Sequence, residues 1–427
     1  MLEDYWNMCY AIPGKIAAIE GRVATVDYFG EKRKAYVDLV EDLVIGENVY
    51  AQGGFVIRKV SDEEAKETLK IWEDIFFKLK EQDKKLANDP KTLYDRANAI
   101  RQKHQDNSCC VHGIIEFSNY CAEDCHYCGI RKSNKELTRY RMDIPEILNA
   151  VDEAVALGFQ ALVLQSGEDP FYTDDKLAQI VRDIRARHPV LIFVSVGERS
   201  ADTYKRMYDE GARGALLRFE TSNPDIYAKI KPDLRHSREN GNLECMNEVP
   251  TSVGMTDGDD GLSARLKLIN DLREMGYLIV TGFLIGLPDQ KHEDIMQDIK
   301  MTSKLGAEMF SFGPFVPHPQ TPLASEKAPS LKKTLDIIAN ARVMNPEAKI
   351  LVTTALETLW GLDGAKQGLM AGANSLMINV TPMKYRRLYD IYPNRFGTDL
   401  DTQEHVNKVI ELLRSIGRAP TDLSVNA

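Results

Sequence analysis

Three cysteines stand close together in the run Asn119-Tyr120-Cys121-Ala122-Glu123-Asp124-Cys125-His126-Tyr127-Cys128-Gly129, spaced C-x3-C-x2-C. Thiolates this near one another suit a single iron–sulfur cluster. A cubane cluster has four irons, so three protein ligands leave one iron open, where a small molecule can bind and react. Zinc is the rival reading. It usually takes four ligands, often from two C-x2-C pairs, and His126 is the nearby candidate for the fourth. A disulfide framework is disfavoured, because seven cysteines in 427 residues are sparse and odd in number.

A loop of this kind needs a scaffold, and the patterning downstream of residue 93 supplies one. Strand-like stretches at 112–117, 161–165, 191–196, 214–219, 278–285, 309–312, 350–354 and 375–379 alternate with helical stretches such as 144–157, 176–187 and 292–305. Eight strands alternating with helices predict a (β/α)8 TIM barrel, in which chemistry gathers at the C-terminal ends of the strands. The cysteine run follows the first strand, where that rule puts a catalytic loop. Residues 13–59 read instead as short strands at 15–19, 22–28, 33–39 and 48–60, punctuated by Gly21, Gly30 and Gly46. Ser61-Asp62-Glu63-Glu64 then caps a helix running to about residue 84. The chain is thus α/β, with a small OB-like β-barrel and trailing helix at 1–84 and the large barrel at 85–427. A polar, glycine-rich stretch at 235–261 has no period and reads as a flexible surface insertion, and Cys245 within it as an incidental thiol.

Composition bounds the function. The net charge of −10 argues against nonspecific nucleic-acid binding. Hydrophobic content of 43% with 28% charged residues is ordinary for a soluble protein, and no apolar run reaches the roughly 20 residues that span a bilayer. The acidic start Met1-Leu2-Glu3-Asp4 lacks the form of an export signal. Thiols and an oxygen-sensitive cluster suit a reducing cytoplasm.

Further polar residues fall at predicted strand ends. Gln165-Ser166-Gly167-Glu168-Asp169 closes the second strand; as an isolated string it is a loop turn, but its glycine lets a ligand approach and Glu168 can accept from an ammonium group. Arg218 and Glu220 close the fourth strand, on one face by alternation, either as a plain ion pair or facing the barrel mouth. Arg265 follows the insertion and is suited to a carboxylate. Gly282 and Gly286 interrupt the end of the fifth strand.

The cysteine spacing after a first strand resembles that of the radical S-adenosylmethionine (SAM) enzymes. That resemblance implies one 4Fe–4S cluster on Cys121, Cys125 and Cys128 and SAM on its open iron. It implies SAM contacts from Tyr127, Ser166, Gly167, Glu168, Glu220, Arg265, Gly282 and Gly286, with Ser166 standing where the family's Gly-Gly-Glu element has a glycine. More specifically, 113–119, 164–170, 313–323 (Gly313-Pro314-Phe315-Val316-Pro317-His318-Pro319 onward) and 379–386 (Asn379-Val380-Thr381-Pro382-Met383-Lys384 onward) resemble the HydE family of FeFe-hydrogenase maturases. The HydE resemblance implies reductive cleavage of SAM to a 5′-deoxyadenosyl radical, an external electron donor, other hydrogenase maturases as partners, and an iron–carbonyl–cyanide substrate deep in the barrel. Arg218 and Glu220 would act near the sulfonium and ribose. Thr353, Thr354 and Met377 would line the substrate cavity, with barrel-core packing as their alternative. Residues 395–401 carry none of the extra cysteines that hold a second cluster in some members, so a single cluster is expected. A radical SAM mutase or synthase acting on an amino acid, related to methylornithine synthase or biotin synthase, is the alternative. A noncatalytic metallochaperone or scaffold is the alternative of another class.

The N-terminal part carries its own resemblance. Met8-Cys9-Tyr10-Ala11-Ile12-Pro13-Gly14-Lys15-Ile16 and Gly46-Glu47-Asn48-Val49-Tyr50-Ala51-Gln52-Gly53-Gly54 resemble the HypC chaperones of NiFe-hydrogenase maturation. That family holds an iron–dicyanide–carbonyl fragment through a cysteine, here Cys9, a soft ligand suited to such iron. Gln52 stands where the family usually has histidine. The fusion suggests that the small domain delivers an iron species to the large one, tethering raising its concentration at the barrel mouth to about millimolar.

Overall fold

A computed structural model of the chain describes residues 12–88, 90–232 and 261–423. Cys9, Cys245 and nearly all of the 235–261 stretch lie outside the described residues; Gly261 opens the helix Gly261–Glu274.

Alternation builds the small barrel. Strands β1 (Gly14–Glu20), β2 (Val23–Tyr28), β3 (Glu31–Tyr36), β4 (Asn48–Gln52) and β5 (Phe55–Val60) close in the order β1-β2-β3-β5-β4. Ala24, Val26 and Tyr28 point inward with Ile16, Val49, Ala51 and Val56. The stretch 48–60, expected as one strand, is a hairpin. Gly53 and Gly54 have φ of 54° and 83°, which glycine adopts without a Cβ clash, and the chain reverses there. The third strand lies two residues upstream of its expected start. Helix α1 (Asp62–Ala87) begins at Ser61, whose hydroxyl accepts from Glu64 N at 3.1 Å. It buries Trp72 and Leu79.

The large barrel has eight parallel strands, Ser108–Ser118, Ala161–Ser166, Leu191–Ser195, Gly214–Leu216, Leu278–Thr281, Met309–Phe310, Lys349–Ile350 and Ser375–Asn379. Seven neighbouring pairs run round the wall, and the Leu351–Ser375 bridge closes it. Several strands are shorter than their apolar runs. The fourth stops at Leu216, and the fifth is interrupted because Gly282 O takes the N–H groups of both Phe219 (3.0 Å) and Glu220 (3.1 Å). Leu284–Ile285 then pairs with Gly313–Pro314 instead. Thr354, expected in the seventh strand, starts a helix.

Inside the wall, the first inward layer comes from the N-terminal ends of the strands: Cys110, Ala161, Leu191, Leu278, Met309 and Leu351. Tyr50, Phe55 and Ile57 of the β4–β5 hairpin and Val60 belong to the same apolar cluster. The small barrel is therefore the floor of the large one. A Cβ on Gly53 would sit 2.6 Å from Leu191 Cδ2, so only glycine allows this approach. Buried Gln52 donates to Gln160 Oε1 at 2.6 Å across the junction. Helix α1 is tied in by Asp83, which pairs with Arg101 at 2.6 Å and Arg418 at 3.3 Å, all three fully buried. A cavity of about 770 Å³ remains at this junction, lined by Arg22, Tyr36 and Phe55 on one side and Tyr208, Glu308 and Lys349 on the other. The described part of the small barrel thus closes the lower end and not the mouth, because the apolar face of its hairpin matches the apolar lower layer. Among the described residues no helix is long and apolar enough to cross a membrane.

Candidate active site

The first barrel strand ends at Ser118, and polar side chains fix the loop that follows. Asn119 Nδ2 donates to Thr138 O (2.8 Å) and Leu388 O (2.6 Å). Arg139 donates to Ile130 O (2.8 Å) and Arg131 O (2.6 Å). Asp124 accepts from Arg131 Nε (2.8 Å) and Ser133 N (3.0 Å). Such outer contacts orient ligands before a metal arrives. Two glycines keep the loop close to its neighbours: a Cβ on Gly129 would lie 2.0 Å from Asp390 O, and one on Gly167 2.2 Å from Tyr120 O.

Burial pushes the thiols up, Cys121 to about 12, Cys128 to about 11 and Cys125 well above the ordinary value. Nearby Glu168 adds to the rise at Cys121, whereas the Lys231 cation opposes it at Cys125. Iron binding has to displace these protons. Among the described residues, the one trio of Cys, His, Asp or Glu ligand atoms mutually within 4.8 Å lies elsewhere. The three sulfurs therefore do not converge as on one zinc ion, whose 2.3 Å bonds would set them about 3.8 Å apart. His126 is held by its backbone, N to Ile230 O at 2.8 Å.

The Ser166-Gly167-Glu168 element docks on this loop. Gly167 N donates to Ser118 O (3.0 Å), Ala122 N to Glu168 O (2.8 Å), and Glu168 N to Cys121 Sγ (3.4 Å). Ser166 Oγ turns onto Gly167 O at 2.7 Å. The Glu168 carboxyl is pushed up to about 7 by burial and by Glu123 and Glu198, against the pull of Lys231 and Arg265. Arg265 lies 3.7 Å from Glu168 but holds Glu198 at 2.6 Å, and Lys231 pairs with Glu198 (2.8 Å) and Glu123 (3.2 Å). These two cations outweigh desolvation and hold Glu198 down at about 2.

Glu198, Lys231 and Glu123 were not singled out from the sequence. Their signal is position: Glu198 follows the third strand, as Glu168 follows the second. Gly197, at φ 75°, makes room, since a Cβ there would meet Glu168 Cγ at 2.0 Å.

Arg218 donates to Glu220 Oε2 through Nε at 3.1 Å and through Nη2, and Arg265 Nη1 donates to Arg218 O at 2.9 Å. The Arg218–Glu220 pair thereby joins the same group. Glu220 has φ 68°, a conformation costly for a residue with a Cβ and held here by its bridge to Phe283. Burial raises the Tyr127 hydroxyl, and Cys125 and Glu220 act on it in the same sense. Gly282 serves a backbone approach, a Cβ there meeting Ser311 O at 2.2 Å; Gly286 has φ 87°.

The three cavity candidates separate. Thr353 Oγ1 is buried without a hydrogen bond beyond the seventh strand, and Thr354 opens the next helix. Met377 packs instead in the apolar cluster shared with the floor. Unforeseen neighbours complete the upper interior. Glu116 pairs with Arg395 and accepts from Asn379 Nδ2 at 2.9 Å, and Glu357, one turn after Thr353, is buried with Oε2 unpartnered.

Residues 8–72 match the HupF/HypC family, 115–302 the radical SAM superfamily, and 311–419 the biotin and thiamin synthesis associated domain. The chain is 37% identical over 332 residues to the FeFe hydrogenase maturase subunit HydE of Thermotoga maritima, covering 77% of this chain and 86% of that one. It is 37% identical over 78 residues to the hydrogenase maturation factor HypC of Helicobacter hepaticus, 18% of this chain and 91% of that one. The crystal structure of methylornithine synthase shares the fold, with a TM-score of 0.63 and 22% identity over 81% of this chain and 97% of that one.

Proposed function

The chain belongs to the HydE family of FeFe-hydrogenase maturases, and from that premise we propose how its own residues serve a radical SAM reaction on an iron–carbonyl–cyanide substrate. When bound, a 4Fe–4S cluster and SAM supply 5′-deoxyadenosyl radical chemistry. Cys121, Cys125 and Cys128 hold the cluster. Glu168 accepts from the SAM amine and Arg265 pairs with its carboxylate, with Tyr127, Ser166, Gly167, Glu220, Gly282 and Gly286 around them. The observation that carries this reading is the join between loop and clamp, Glu168 donating its N–H to Cys121 Sγ while Arg265 lies 3.7 Å from its carboxylate.

The substrate takes the upper interior. Arg395 Nε and the orphaned Thr353 hydroxyl offer polar contacts to cyanide and carboxylate groups there. Arg218 and Thr354 complete its surroundings. The small barrel covers the lower end of the interior with its apolar hairpin. Cys9 of the small domain holds an iron–cyanide–carbonyl fragment for the large one. An external donor supplies the electron, and other hydrogenase maturases consume the product. The HypC-family match from residue 8 supports the Cys9 assignment.

The test is anaerobic. The protein is reconstituted with iron and sulfide, SAM and dithionite are added, and 5′-deoxyadenosine is measured beside Cys125→Ala. Product from the wild type and none from the variant is expected. Absence of product from a preparation with an EPR-confirmed cluster would overturn the reading. For the small domain, Cys9→Ser is expected to lower hydrogenase maturation in cells; unimpaired maturation would remove Cys9 from the scheme.

A further inference from the structure

A second group of ligand-type side chains lies inside the barrel, far down from the cysteine loop. Cys110 and His112 are two residues apart on the first strand, so both point inward. Asp422 arrives from the C-terminal end, where Ala419–Pro420 pairs with Ser108–Cys109. One ligand atom from each residue lies within 4.8 Å of the other two, and all three residues are buried. His112 Nε2 is 3.2 Å from Asp422 Oδ2, which also accepts from Thr421 Oγ1 at 3.0 Å. The other ring nitrogen, Nδ1, is buried without any hydrogen bond, although the residue is only 3% exposed. A buried ring nitrogen with no partner is unfavourable unless something binds there.

We propose that Cys110, His112 and Asp422 form a mononuclear site for a divalent first-row transition metal, separate from the cluster. Thiolate, imidazole and carboxylate are the donors that such ions select, and neutral imidazole needs only the lone pair it already has. The surroundings are soft: Met377 is in register with His112, and Ser375, in register with Cys110, bonds Met309 Sδ at 3.5 Å. Phe193 stacks on the His112 ring at 5.0 Å and fixes its plane. On binding, the Cys110 thiol loses its proton to solvent and no redox change is needed.

The test uses the full-length reconstituted protein with its cluster oxidised and EPR-silent. Cobalt(II) is titrated anaerobically and followed by equilibrium dialysis and high-spin cobalt EPR. Wild type is expected to bind cobalt in a low-symmetry site, with affinity falling more than about tenfold in Cys110→Ser and in the isosteric Asp422→Asn. Asp422→Asn carries the result if Cys110→Ser does not fold. No cobalt binding by the wild type, or equal binding by a folded variant, would overturn the proposal. The readout does not depend on SAM chemistry, so failure here leaves the radical SAM reading untouched.

Discussion

Two clusters of buried carboxylates and basic side chains, one at each end of the barrel, behave differently. At the floor, Asp83 faces two arginines whose remaining donors are filled by fixed acceptors: Arg418 donates to Ala373 O (3.1 Å), Leu369 O (3.0 Å) and Asn98 Oδ1 (3.0 Å). At the mouth, Arg265 and Lys231 face Glu198, Glu168 and Glu123, so carboxylates compete for cations. The outcome is uneven, Glu198 held at about 2 and Glu168 raised to about 7. A saturated cluster locks domains together. A contested one can exchange a protein carboxylate for a ligand's.

The largest effect that would break this contrast is at the floor. Asp83→Ala leaves two buried guanidiniums unpaired and is expected to cost about 3–5 kcal/mol, measured by urea unfolding of the cluster-free protein. A loss under about 1 kcal/mol would show that the floor is not locked by charge.

Glu357 sharpens the picture of the mouth. Burial alone raises it from 4.5 to about 8. The folded chain then keeps a proton that the unfolded chain releases, so this group's contribution to stability is full below about 4.5 and is lost as pH rises to about 8. Glu357→Gln should flatten this decline, removing a slope of up to about 1.4 kcal/mol per pH unit. An unchanged slope would assign it to other groups.

In the contested cluster, Glu198→Gln frees Arg265 to collapse onto Glu168, so the two proposed SAM contacts neutralise each other. SAM affinity should fall about tenfold, roughly 1.4 kcal/mol, with little change in unfolding. Tighter SAM binding would mean that Glu198 competes with the ligand and does not position Arg265. The smallest effect is expected on the outer surface. Lys205→Ala removes an exposed pair with Asp209 at 2.7 Å and should cost no more than about 0.5 kcal/mol in the same unfolding assay.

The legible features were local ones. The C-x3-C-x2-C spacing is readable because ligands for one cluster can come from one loop, and the eight strands because apolar runs separated by amphipathic helices imply a parallel barrel. Ser61 marked the start of α1 through a single side-chain cap. The hairpin at Gly53-Gly54 was missed because continuous burial on both sides of the turn hides it.

Sequence by itself determined the cysteine spacing, the order of strands and helices, and the small barrel ahead of the large one, since these depend on neighbours along the chain. Tertiary structure alone decided which charges meet. Asp83 finds Arg418, and Cys110 and His112 find Asp422, across more than 300 positions. It also decided that the small barrel closes the floor and that Arg265 is held by Glu198. The physical reason is common to all four: a polar or apolar group excluded from water takes whatever partner the closed barrel brings within reach, and closure is not encoded in any local spacing.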